Sequence, residues 1–114
     1  MSNFLRGEIW IATFDPVVGH EQGGQRPALV LSVDAFNASG GEDVFVVPIS
    51  TRHRALRTRV HIKPPEGGLL QDSYALCDKM RSLSNKRLKS RLGVVSADTM
   101  RKVEDIVSWI LGFP

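Results

Sequence analysis

Side chains able to move a proton or hold an anion stand at three places in this chain. The first is residues 19–27, GHEQGGQRP, where His20, Glu21, Gln22 and Arg26 are set among Gly19, Gly23 and Gly24. A histidine titrates near neutrality and can give or take a proton. The planar fork of an arginine holds a phosphate through paired hydrogen bonds, and glycines let backbone amides come close to an anion. Arg26-Pro27 directly precedes an apolar run, which anchors the arginine where a loop enters a rigid element. The second place is Ser50-Thr51, two hydroxyls that end another apolar run and could donate to a phosphate oxygen or cap a turn. The third is Asp78, between Cys77 and Lys79, a carboxylate suited to act as a base or to orient an arginine such as Arg81. Each also has a plainer explanation: a polar loop with an exposed histidine, a turn cap, a surface ion pair contributing little.

Other chemistries lack their residues. His20, His53 and His61 show no metal-ligand spacing, and there is no HExxH pattern. The single cysteine, Cys77, rules out an intramolecular disulfide and a cysteine-rich metal site. Neither a GxSxG elbow nor a phosphate-binding P-loop occurs. No metal and no cofactor are expected.

Charge is distributed unevenly. The net charge is only +3, from 15 Lys plus Arg against 12 Asp plus Glu. Residues 52–63 hold Arg52, Arg54, Arg57, Arg59 and Lys63, with His53 and His61 beside them and no acid. Residues 79–91 hold Lys79, Arg81, Lys86, Arg87, Lys89 and Arg91, again with no acid, so the two windows carry 11 of the 15 cations. Such clustering suits a polyanion or an acidic partner, and equally a solvated basic face. Tyr74, with Phe36, Phe45, Trp10 and Trp109, is expected to serve the core rather than base stacking.

The elements that must position these residues are short. With 114 residues, 42% of them apolar, the chain suits one domain spanning 1–114 with a real core. Residues 8–14 read as a first strand, broken by Asp15-Pro16. Residues 28–33, ALVLSV, read as a second strand, apolar on both faces and so central. Residues 34–41 suit a helical turn capped by Asp34 and ended by glycine. A third strand covers 44–49, with Pro48 suggesting an edge or bulge. Residues 58–63 alternate as a half-exposed strand, a loop follows at 64–68, and short strands cover 74–77, 79–83 and 88–95. From Ala97 the period changes: Met100, Val103, Ile106, Val107, Ile110 and Leu111 recur at helical spacing, with Ser96 as cap and Gly112 as stop. These elements make an α+β, mainly β domain: a small, curled antiparallel sheet of the SH3-like barrel type with a C-terminal amphipathic helix. The N-terminus lacks the apolar segment of a signal peptide, and no run approaches the ~18 apolar residues of a membrane span, so a cytoplasmic protein without membrane contact is expected.

Long stretches of the chain also carry a resemblance. RGEIWIATFDPVVGHEQGGQRPALVLS (residues 6–32), VFVVPIST (44–51), DSYALCDKMRSLSNKRL (72–88) and LGVVSADTMRKVEDIVSWILGF (92–113) are similar to the signature segments of the MazF/PemK toxins of bacterial toxin–antitoxin systems, most closely the Kid/PemK branch. The resemblance implies a CcdB/MazF-like barrel, a homodimer, and a metal-independent endoribonuclease that cuts single-stranded RNA at a short motif. The RNA's own 2′-hydroxyl would attack, leaving a 2′,3′-cyclic phosphate and a 5′-hydroxyl. Carried over by position, His20 is an acid or base, Arg26 the phosphate contact, Ser50 or Thr51 the site hydroxyl and Asp78 the proposed base. The RNA groove would draw on Glu21, Gln22, Arg52, Arg54, Arg57, Lys79 and Arg81. An acidic cognate antitoxin is the implied protein partner, and operator DNA is reached through it. Leu76 departs from the pattern, since Kid-like proteins carry an arginine just before the cysteine; either a second phosphate-stabilising charge is then expected from Arg81 or the basic 52–59 loop, or the mechanism leans more on Arg26. The alternative from another class is a CcdB-like gyrase poison, which would rely on the helix end at residues 109–114 and cut nothing.

Overall fold

The computed structural model of the chain describes residues 4–14 and 24–114. Seven strands and two helices follow in the order β1 (Glu8–Thr13), β2 (Gln25–Val30), α1 (Asp34–Asn37), β3 (Asp43–Ser50), β4 (Arg59–Ile62), β5 (Ser73–Leu76), β6 (Arg81–Ser84), β7 (Leu88–Val94) and α2 (Ala97–Leu111). Single helical turns lie at Glu66–Gly68, Cys77–Lys79 and Asn85–Arg87. All pairings are antiparallel, in the order β4-β5-β3-β2-β1-β7, with β6 also paired to β3. The sheet coils like an SH3-like barrel, but among the described residues its ladder does not close. The SH3-like class with a C-terminal helix is therefore the observed architecture.

Alternation along the strands builds a core on each face. Ile9, Leu29, Val47, Ile49, Val60, Ile62 and Ala75 face α2, where Met100 and Val103 meet them. Ala12, Ala28, Val30, Val44, Val46 and Leu83 face the other way and pack with Phe4, Phe14 and Leu88. Strands β2 and β3 are thus apolar on both faces, as strands buried within a sheet must be. Pro48 does not mark an edge: β3 is central. One flank pairs with β2, while the other pairs with β6 up to Val46 and with β5 from Ile49. The proline falls in the gap between those two partners, where a missing amide donor costs little on that flank.

Two register shifts bend β7 around β1, leaving Leu92 and Lys89 as the extra residues. Gly93 lies so close to the turn at Gly67 that a Cβ there would stand 2.6 Å from the Gly67 carbonyl carbon. The same turn is tied to α2, because Glu66 accepts the Ser96 amide at 2.9 Å. Helix α2 starts where the Ser96 hydroxyl accepts the Thr99 amide at 3.1 Å, and it stops at Gly112 in the left-handed region, φ 77°.

The turn after β2 differs from its expected form. Val33, not Asp34, stands at the N-cap of α1, and the helix ends at Ala38 before either glycine. Asp34 instead accepts the Arg6 amide at 2.7 Å. Asn37 locks the turn by donating to the carbonyls of Phe4 and Ser32, at 2.7 and 3.0 Å. The aromatic residues also depart from expectation: Trp10 packs edge-on against Phe4, but Phe36, Phe45 and Trp109 are 42%, 43% and 51% exposed. Phe45 shares the α2-facing side of Val47 and Ile49 but lies toward the start of β3, where with Phe36 it lines an open groove that Val107 and Leu111 border.

Glu8 is the buried carboxylate of the fold. It accepts the Leu5 amide and the Trp10 indole, each at 3.0 Å, and the Arg91 Nε at 2.6 Å, which joins the N-terminal segment, β1 and β7. Burial alone would raise its pKa, but these donors and the Arg91 charge outweigh that and hold it below 4.5. Glu66 is displaced in the same direction, its burial outweighed by hydrogen bonds from Thr99 and Ser96 and by Lys102. A depressed folded-state pKa stabilises the fold above the unfolded value and loses that stabilisation as pH falls through the folded value. Replacing Glu8 by Gln is expected to cost about 1.5–3 kcal/mol at neutral pH, the range for hydrogen bonds to a charged group. It should also flatten the fall in melting temperature below about pH 4.5. Thermal melts of both proteins from neutral to acid pH check this, and parallel curves would remove Glu8 from the acid response.

Candidate active site

The register of the sheet brings the sequence candidates into line. Arg26 lies in β2 opposite Ala12 of β1, and Ala28 two residues on pairs with Pro48 of β3. By alternation Arg26 shares the side of Ala12 and Ala28, and Ser50 the side of Val44 and Val46. Ser50 pairs with Tyr74 of β5, and Tyr74 pairs with His61 of β4. A single row therefore runs Ser50, Tyr74, His61 across three strands.

Ser50 is buried, and its hydroxyl accepts the Arg52 amide at 3.1 Å. The turn-capping role weighed from sequence is thus real, and it fixes the direction in which the 52–58 segment leaves the sheet. Thr51 is exposed just beyond the strand. The segment curls back so that the His53 ring stands 5.0 Å from Tyr74, while His61 stacks on Tyr74 at 5.0 Å and 19°. His61 Nε2 in turn meets Asp72 Oδ1 at 2.7 Å.

One residue pair further along β4 and β5, Arg59 stands directly opposite Leu76. Leu76 is buried, and the chain turns immediately after it through Cys77–Lys79, presenting Asp78 to Arg59. The two form an ion pair between Arg59 Nη1 and Asp78 Oδ1. The arginine side chain is 6% exposed and the aspartate 37%, so the cation is the buried partner. Its Nη1 also reaches Thr58 Oγ1 at 3.3 Å, whereas its Nε is buried with no hydrogen-bond partner among the described groups. An unsatisfied buried donor of this kind costs free energy and needs a reason. Asp78 orients Arg59, then, and not Arg81.

The neighbouring thiol is inert. Cys77 is fully buried, and burial together with the Asp78 charge pushes its pKa up to about 11 against an opposing pull from Arg59. The remaining cations divide. Arg52 and Arg54 are exposed on the segment leaving Ser50, and Lys79 is exposed on the turn beside Asp78. Arg57 instead lies over the Trp109 ring at 3.8 Å, tying that segment to α2. Arg81 stands 5.9 Å above Phe14 and lines a separate apolar groove with Phe36 and Phe45. His20, Glu21 and Gln22 lie outside the described residues. Among the described residues no group of three or more His, Cys, Asp or Glu side chains could hold a metal ion.

Sequence reading reached Arg59 only as one member of the basic 52–59 loop offered as the source of a second charge, without singling it out. Its signal was available: it holds the same parity as His61 in an alternating strand, and so shares a face with it. Only the β4–β5 register shows that the face also carries Asp78.

Residues 5–111 match the sequence profile of the PemK-like, MazF-like toxin of type II toxin–antitoxin systems. The fold is similar to that of MazF from Deinococcus radiodurans, with 30% identity, 99% of this chain and 100% of that one covered, and a TM-score of 0.87. It is also similar to an endoribonuclease from a mycobacterial species, at 27% identity, 100% and 96% coverage and a TM-score of 0.81. A MazE–MazF complex from Deinococcus radiodurans contains a chain of 30% identity, with 100% of both chains covered and a TM-score of 0.82.

The ion pair makes a direct prediction. Asp78→Asn leaves the buried guanidinium without its counter-charge and should lower stability by about 1.5–3 kcal/mol. In an Arg59→Leu background the same change should cost less than half as much, a coupling that denaturant unfolding of the four proteins measures. Additive losses would show that the two side chains do not act together.

Proposed function

The chain belongs to the PemK-like, MazF-like toxin family of type II toxin–antitoxin systems, and from that membership we propose that it is a metal-independent endoribonuclease cleaving single-stranded RNA at a short sequence. The observation that supports the reading is the Asp78–Arg59 pair at the end of the β4–β5 ladder, two residues along from the Ser50–Tyr74–His61 row, with Arg26 two residues before the Ala28–Pro48 pair. Two similar structures bear on it as well, one of an endoribonuclease and one of an endoribonuclease in complex with its cognate antitoxin.

The chemistry needs no protein nucleophile. A base removes the proton of the RNA 2′-hydroxyl, whose oxygen bonds to the adjacent phosphorus while the bond to the 5′-oxygen breaks. The leaving oxygen takes a proton from an acid, and the products are a 2′,3′-cyclic phosphate and a 5′-hydroxyl. Asp78 and His20 divide the two proton roles. Arg26 holds the phosphate and the charge that grows on it in the transition state. The Ser50 or Thr51 hydroxyl donates to a phosphate oxygen. Arg59 supplies the second cation from across the ladder at the position where Leu76 has none, and it fixes Asp78. Arg52, Arg54 and Lys79 line the path of the RNA backbone, with Glu21 and Gln22 contributing from the loop. Cleavage depends on the 2′-hydroxyl, which separates RNA from DNA.

The partners follow the charge and the apolar surface. An acidic antitoxin complements the two basic windows, and operator DNA would be approached only in its company. A homodimer would cover apolar side chains that the single chain exposes, among them Val33, Phe36, Phe45 and Leu111 around a groove of about 560 Å³. No described helix is long and apolar enough to cross a membrane.

Arg26→Ala should lower kcat on a defined RNA by roughly 10²–10³-fold, the cost of removing one transition-state donor, with its melting temperature unchanged. Wild-type cleavage should persist in excess EDTA and leave cyclic-phosphate ends. Full activity in a folded Arg26→Ala protein would sink the assignment. Intact RNA combined with inhibition of gyrase would favour the CcdB-like alternative. Sedimentation at micromolar concentration should show a dimer; a monomer alone would remove that part.

A further inference from the structure

We propose that the ring cluster of Tyr74, His61 and His53 forms a stacking platform for a nucleobase of the RNA next to the cleaved phosphate. The proposal rests on the nuclease reading and names a subsite that the reading leaves without residues.

The three rings are gathered from three separate segments. Tyr74 belongs to β5 and is half-buried, its position fixed by pairing with Ser50 on one side and His61 on the other. His61 belongs to the edge strand β4 and lies nearly parallel to Tyr74, 5.0 Å away at 19°. His53 arrives from the segment turned by the Arg52 amide bond to Ser50, and its ring is 5.0 Å from Tyr74 at 53°. One parallel and one tilted neighbour make a contiguous aromatic surface, with both histidines on its exposed rim. Inside the fold such rings would be core. Here both histidines are exposed, and Tyr74 is half-buried beside Ser50, its pairing partner on β3.

Their surroundings suit a nucleobase better than another aromatic ligand. Exposed Arg52 and Arg54 flank His53 in the chain and complement the phosphates on either side of a stacked base. Single-stranded RNA is held in this manner, by a cationic track with aromatic faces for successive bases. His61 has one ring nitrogen committed to Asp72 at 2.7 Å, which fixes the ring and leaves Nδ1 as its remaining hydrogen-bonding atom. Stacking on the open ring faces of the cluster, which Tyr74 holds together, accepts any base, so the hydrogen-bonding edges of His61 and His53 are where a preference among bases would arise. The site then divides its work: Arg26 and Ser50 hold the phosphate, and the ring cluster holds the base beside it.

The test is steady-state cleavage of a long single-stranded RNA, with every cut end mapped, by wild type, Tyr74→Phe, Tyr74→Ala, His53→Ala and His61→Ala. Melting temperatures are taken alongside. Tyr74→Ala should raise KM roughly 5- to 100-fold, the range for losing one base–aromatic stack, with a smaller effect on kcat. Tyr74→Phe, which keeps the ring, should stay near wild type. His61→Ala should broaden the nucleotides found beside the cut. A folded Tyr74→Ala protein with KM within about twofold of wild type and an unchanged cleavage map overturns the platform. Should Tyr74→Ala fail to fold, the exposed His53 and His61 variants decide, and unchanged KM and cleavage maps in both overturn it. A wild type that leaves RNA whole removes the nuclease reading and the platform with it; a wild type that cuts while the variants match it removes the platform alone.

Discussion

The divided flank of β3 is the constraint from which the rest of the structure follows. A strand in a flat sheet has one neighbour on each side, but β3 has β2 on one side and first β6, then β5, on the other. Two strands can share one flank only if they diverge, so the sheet must coil. Pro48 sits at the handover, where the ladder has no partner to lose on that flank. Ser50 follows two residues later, at the end where β2, β3 and β5 meet. The candidate site lies at this junction because polar side chains there can leave the two apolar cores without interrupting either.

Coiling has to be held at the far end of the sheet as well. The two extra residues in β7 let it wrap β1, and Glu8 draws the N-terminal segment, Trp10 and Arg91 together from one buried carboxylate. The Gly67–Gly93 contact is a further restraint, since a Cβ on residue 93 would fall at 2.6 and 2.8 Å from Gly67 backbone atoms. Gly93 has an ordinary backbone conformation there, so the demand is for space alone. Gly67, with φ 68°, meets a demand of conformation too. Through Glu66 the same turn holds the first turn of α2, and α2 closes the core behind β3 and β5. The turn is far from the candidate site in the chain, yet it sets the helix against which the site's strands pack.

Much of this architecture was legible in the residues. The strand runs, the change of period at Ala97, the Ser96 cap and the Gly112 stop are local signals, and local signals decide local structure. The expected Asp34 cap failed because a carboxylate can serve any nearby amide, and the Arg6 amide comes from a segment 28 residues away. The aromatic residues failed for a related reason. Composition says that rings are apolar, but only pairing and position along a strand say how far a ring is covered, and Phe45 and Tyr74 end on opposite faces, neither fully buried. Arg26, Ser50 and Asp78 were singled out by type and by resemblance, and a shared groove was expected of them. The pairings around them were not legible, because register across β2, β3 and β5 depends on loops whose lengths do not fix it.

Arg59 and Leu76 show most directly what a position-by-position reading misses. An ion pair is a relation between places in space, and paired strands offer two backbones from which a charge can reach the same place. With residue 76 apolar, a guanidinium from residue 59 directly opposite occupies the neighbourhood of Asp78. The substitution also changes the energetics. A buried cation whose Nε lacks a partner carries a desolvation penalty that an exposed one does not. Its attraction to Asp78 offsets part of that penalty, and an anionic phosphate arriving at the same face would offset more. A buried guanidinium with one donor unsatisfied therefore gains from any further anion brought to it.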